Sequence, residues 1–139
     1  MLMDRQNLFS SAQAVTASAA STDIIDLGSS RDVGAGESLE VIVVVDTTFT
    51  AGGSATLDVA LQTDTSSGFG SAVTLLSTGA TAVATLAAGV ALARFKVPRG
   101  TLRYLRLYYT VATGPMTAGT ITAGISLGRQ DTATYADAL

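Results

Sequence analysis

The chain has 139 residues, a formal net charge of −3 and no His, Cys or Trp. It therefore offers no imidazole base or ligand, no thiolate nucleophile, no disulfide framework and no Cys-based metal site. Charged residues are 14% of the total, against about 25% in a typical soluble domain, so part of a Thr-, Ser-, Ala- and Gly-rich exterior is expected to lie under partners.

The length predicts a single domain with an adequate core. Residues 1–22 differ in texture from the rest. Ser11 to Ser21 is small and polar with little to bury, which predicts an extended N-terminal arm with one short edge strand around Ala14–Thr16. Leu8 and Phe9 are its natural anchors. The β-sandwich domain is then expected over 23–128, and a loose C-terminal tail over 129–139. Its first strand is Ile24–Leu27, stopped by Gly28, and the turn-rich loop Arg31–Gly36 follows. Leu39–Thr47 is the strongest strand signal. Its run Val41–Val45 is β-branched throughout, which disfavours helix, and nearly continuous apolar character predicts burial on both faces.

After the turn Ala51–Gly53, alternation places Ala55, Leu57, Val59 and Leu61 on one face and Thr56, Asp58, Ala60 and Gln62 on the other. Asp64–Gly70 is a loop by composition, and Val73–Leu76 a strand. The Ala-rich stretch Thr81–Val97 reads as two strands with a turn near Ala88–Gly89, with a helix as the alternative on propensity. Thr101–Val111 alternates again, setting Arg103, Leu105, Leu107, Tyr109 and Val111 against Leu102, Tyr104, Arg106, Tyr108 and Thr110. The second set is an amphipathic strip suited to an interface. Gly119–Leu127 is the last strand, with Ile121, Ala123, Ile125 and Leu127 inward. About eight antiparallel strands at 8–12-residue spacing predict an all-β, jelly-roll-like sandwich.

Five of the eight basic residues fall between Arg94 and Arg106: Arg94, Lys96, Arg99, Arg103 and Arg106. Most carboxylates precede Asp64. Such polarity suits docking to itself or to a mixed-charge neighbour, and the negative net charge disfavours nucleic acid. The longest apolar stretch, Ala82–Ala93, is interrupted and shorter than the ~20 residues of a membrane span. Met1–Arg5 lacks the pattern of a secretory signal, so the protein is expected in a reducing cytoplasm or in a particle assembled there.

Chemical motifs fail one by one. Gly68–Val73 begins like a dinucleotide fingerprint but lacks its third glycine and opens no helix. Asp64, Ser66 and Gly68 lack the later acidic ligand of a calcium loop. Ser54 has no His to activate it. The carboxylate pairs Asp23 with Asp26 and Glu37 with Glu40 sit near strand ends or turns, with no pocket to tune them. The expectation is a non-enzymatic protein with no catalytic, cofactor or metal site.

Three stretches, taken in order, carry a resemblance. The first is Asp4–Thr16 (DRQNLFSSAQAVT), followed by Ala19–Thr22 and Ile25–Gly28. The second is Leu39–Phe49, a valine-rich strand ending Asp46-Thr47-Thr48-Phe49. The third is Arg103–Val111 (RYLRLYYTV), then Thr120–Gly124 (TITAG). Together the chain resembles the Bbp16-like capsid cement (decoration) proteins of tailed bacteriophages over nearly its whole length. That resemblance implies a structural protein on the outer surface of the virion head, bridging major capsid protein subunits and acting as a homo-oligomer, a dimer or trimer. It transfers no catalytic motif. On this reading Leu8, Phe9, Gln13 and Val15 anchor the arm, Arg94, Lys96, Arg103 and Arg106 meet acidic capsid surface, and Tyr104 and Tyr108 are apolar anchors. A receptor- or carbohydrate-binding jelly roll of a fibre or tail is the alternative. Sugar binders usually present exposed aromatic platforms, whereas here Trp is absent and the Tyr residues cluster mostly in one strand.

Overall fold

A computed structural model describes residues 3–35 and 39–127. Within them the chain is built almost wholly of strands: β1 (Leu8–Ala14), β2 (Ala19–Ala20), β3 (Ile25–Asp26), β4 (Glu40–Ala51), β5 (Thr56–Asp64), β6 (Val73–Ser77), β7 (Thr81–Ala82), β8 (Ala91–Lys96), β9 (Tyr104–Ala112) and β10 (Met116–Ser126). Only short 3-10 turns, at Arg5–Asn7, Val33–Ala35 and Val83–Thr85, interrupt them. The strands form two antiparallel sheets packed as a sandwich. One has the order β1-β10-β4-β8. The other has six strands, in the order β2-β9-β5-β6, with β3 also on β9 and β7 also on β5.

Period-two patterning sets the inner faces. In β5, Leu57, Val59 and Leu61 are fully buried, and the nine-residue pairing Thr56↔Ala112 through Asp64↔Tyr104 aligns them with Val111, Tyr109 and Leu107 of β9. From the opposite sheet, Val41, Val43 and Val45 of β4 and Ile121, Ala123 and Ile125 of β10 close the core. The valine run is covered on both sides, as its continuity predicts. Ile42, which points away from this core, is also fully buried. It pairs with Gly124, and a Cβ built on Gly124 would lie 2.8 Å from the Asn7 carbonyl oxygen and 2.9 Å from the Met3 sulfur. The N-terminal turn thus lies against the outer face of the four-stranded sheet.

The N-terminal segment corrects the expectation of an arm. Residues 8–14 are an edge strand paired to β10, and β2 pairs with β9 in the other sheet. Phe9 and Val15 are fully buried in the core. Two large apolar side chains are enough to draw this otherwise small and polar segment inward, because its polar groups find internal partners.

Other differences are local. Between Thr81 and Val97 the first expected strand shrinks to β7, because Leu86 is drawn into the core and its carbonyl accepts from the Phe49 N–H at 2.9 Å. The turn at Ala88–Gly89 is present, with Gly89 at φ +85, and no α-helix forms among the described residues. The strand after Gly100 starts only at Tyr104, since Thr101 Oγ1 is occupied in a loop, accepting from the Val33 N–H and donating to the Arg31 carbonyl. β10 begins early, at Met116, whose N–H donates to the Thr16 carbonyl at 2.9 Å. Leu127, expected inward, is 68% exposed. Gly36, Glu37 and the tail 129–139 lie outside the described residues.

Candidate interaction surface

Alternation in β9 turns Leu105, Leu107 and Tyr109 into the core and leaves Tyr104, Arg106 and Tyr108 half-buried on the outer face of the six-stranded sheet. Across the sheet these three meet Asp64, Gln62 and Ala60 of β5. The Arg106 Nε–H donates to Gln62 Oε1 at 2.8 Å. Its guanidinium carbon lies 4.3 Å from the Phe69 ring centroid and 5.5 Å from that of Tyr108. The cation therefore sits among aromatic rings, an arrangement favoured by the ring quadrupole.

Phe69 reaches this position from the loop after β5, at an unfavourable φ of +50. Asp64 holds the loop, accepting from the Ser71 N–H at 2.9 Å and the Ser66 N–H at 3.1 Å. Those two bonds keep the Asp64 carboxyl below its ordinary value against the opposing effect of burial. At the neighbouring corner, Arg103 grips Asp26 with two bonds, Nε–Oδ1 at 2.9 Å and a second at 3.2 Å, while lying 5.0 Å from the Tyr104 ring centroid. The Arg103 bond, then the Gly28 N–H, lower the Asp26 carboxyl, and Asp26 in turn raises Arg103.

The basic residues clustered in sequence do not form one patch. Arg94 and Lys96 alternate with buried Ala93 along β8 and so face outward from the four-stranded sheet, with Lys96 opposite Glu40 in register. Arg103 and Arg106 belong to the other sheet and already have partners on it. The arm residues are likewise turned inward. Leu8 is half-buried near Gly124, and Phe9 and Val15 are core. Gln13 Nε2 donates to the Ala20 carbonyl at 2.9 Å, and its Oε1 accepts from Ser10 Oγ at 2.6 Å and from the Thr22 N–H at 2.9 Å. Ser10 Oγ also bonds the Tyr109 hydroxyl at 2.7 Å. Burial pushes that phenol up to about 12, with the Ser10 bond acting the other way.

Sequence reasoning missed Phe69, Gln62 and the Asp26 clamp. A lone aromatic in a loop of small residues, DTSSGFG, was the available signal for Phe69. The carboxylates considered as pairs are engaged separately: Asp23 with Arg5 at 2.9 Å and Asp26 with Arg103. Among the described residues no group of three or more acidic side chains could hold a metal ion, and no helix is long and apolar enough to cross a membrane.

No curated protein matches the chain. The family model for Bbp16 matches residues 9–125, from Phe9 in β1 to Ile125 in β10. That span takes in every strand of the sandwich, including the N-terminal one that the fold pulls into its core. The chain therefore belongs to the Bbp16 family, a phage-associated one.

Proposed function

We propose that the protein is a capsid cement protein of a tailed bacteriophage. It binds the outer surface of the head, bridges neighbouring major capsid protein subunits and stabilises the shell. The observation that carries this reading is the Bbp16 match across the whole sandwich. The strand order supports it, since eight main strands in two four-stranded layers make a jelly-roll-like frame. The role is non-catalytic and needs no cofactor. The virion surface is its location, after assembly in the host cytoplasm.

The outer face of the six-stranded sheet is the docking face in this proposal. Tyr and Arg are the residue types that anchor interfaces, because each joins a large apolar body to a polar tip. Arg103 and Arg106 are held by Asp26 and Gln62, so the face offers positioned donors and rings rather than loose positive charge. Small oligomers on a lattice of identical sites gain avidity from many weak contacts.

The test is co-sedimentation of the purified protein with empty, expanded heads of the phage that encodes it. Saturable binding that Tyr108→Ala weakens is the expected result. No binding to heads, together with binding on a glycan array, would replace this reading with the carbohydrate-binding alternative.

A further inference from the structure

Sheet edges expose unpaired backbone donors and acceptors, and folded proteins usually blunt them. Three edges of this sandwich are blunted, each differently. The β1 edge carries two register irregularities and Ala12 at φ +47. The β8 edge carries exposed Arg94 and Lys96. The β2 and β3 edge is broken into two-residue pieces. The fourth edge, β6, is different. Its sequence Val73-Thr74-Leu75-Leu76-Ser77 has no charge and no proline, and its only strand neighbour is β5. Val73 is 51% exposed and Leu76 37%.

We propose that β6 is a self-association edge. Two copies pair their β6 strands antiparallel about a two-fold axis at Leu75, so the two six-stranded sheets become one continuous sheet. In that register Val73 meets Ser77 and Thr74 meets Leu76 of the second copy. Charge selects this occupant. Each chain carries a net −3, yet no ionised side chain meets another across β6. Pairing β8 with itself would bring Arg94 and Lys96 of two copies together, which is unfavourable between directly opposed strands. A charged segment of another protein finds no counter-charge on this strand. An isologous contact also closes after two copies, so it ends at a dimer and does not grow into a fibre.

The inference gives the oligomer of the cement reading a defined interface, and its test needs no capsid, so the two readings fail separately. Sedimentation equilibrium of the full chain is expected to show a monomer–dimer equilibrium. Val73→Lys and Leu76→Lys are each expected to weaken it about tenfold or more, while Val90→Lys, at an equally exposed apolar position elsewhere, leaves it unchanged. The native chain has no cysteine, so the double variant Val73→Cys/Ser77→Cys provides a second readout: oxidation should link two chains. A protein that stays monomeric at every concentration overturns the proposal. So does an oligomer that both lysine variants leave intact and the paired cysteines do not link.

Discussion

The outer faces of the two sheets are finished in opposite ways. On the four-stranded sheet the chain covers its own apolar surface, with Met3, Asn7 and Leu8 lying over Gly124 and Ile42 buried beside them. On the six-stranded sheet the outward residues of β9 stay half-exposed, with Arg106 set between Phe69 and Tyr108. The contrast follows from side-chain chemistry. An aliphatic residue such as Ile42 gains only by leaving water, so it is covered when the chain folds. Tyrosine and arginine keep a polar tip in water and an apolar body against the sheet, so such a face is stable alone and still gains from a partner. One outer face is closed by the fold, and the other is open for use.

The largest test of this contrast is at its closed side. Phe9→Ala is expected to cost about 3–5 kcal/mol in urea unfolding, the usual range for emptying a buried aromatic site. Deleting residues 2–16, which would spare the core if the segment were an arm, is expected to leave the chain unfolded. A folded truncated protein would break the claim that this segment is part of the sandwich.

Tyr109 provides the next test, because its hydroxyl joins β9 to β1. Its folded value of about 12 lies above the ordinary 10.0, so the native state holds the proton more tightly than the unfolded chain. Its contribution is fully present below the ordinary value and is lost as pH rises through the folded one. The loss is about 1.4 kcal/mol per pH unit across that window. Tyr109→Phe should remove this slope from a pH series of chemical denaturation curves.

Gly124→Val presses directly on the closed face, since the new Cβ lies within 3 Å of the Asn7 carbonyl and the Met3 sulfur. The expected loss is about 1–3 kcal/mol. Faster tryptic cleavage after Arg5 would show the N-terminal turn lifting from the sheet.

The open side should respond more mildly. Arg106→Lys keeps the charge but loses the planar contact with Phe69 and Tyr108 and the Nε–H to Gln62, at a cost of about 0.5–1 kcal/mol in thermal unfolding. Acid should loosen the loop that carries Phe69. Asp64 is held below the ordinary carboxylate value, so its contribution is present above that value and lost as pH falls through the lower folded one. Proton NMR shifts of the Phe69 ring would follow the change.

Much of the sandwich was legible because strands announce themselves locally. The inner faces of β5 and β9 followed from alternation, and the double burial of β4 followed from its unbroken valine run. The strip Tyr104, Arg106 and Tyr108 was legible for the same reason. The N-terminal segment was not, because its small polar residues give no periodic signal. Its place depends on Phe9 and Val15 filling a core made by strands far along the chain. The basic residues between Arg94 and Arg106 misled in the opposite sense, since neighbours in sequence fall on two sheets once the chain turns at Pro98–Gly100.

By itself, then, the sequence determined an all-β chain, the faces of its long strands and the absence of His and Cys chemistry. Side-chain alternation and β-branching act on a residue and its immediate neighbours, so they can be read locally. Only the tertiary structure decided that residues 8–14 are a strand, which outer face is closed, and which edge is left unblunted. Those outcomes rest on contacts such as Ser10 with Tyr109, 99 residues apart, whose partners exist only after the sheets have packed.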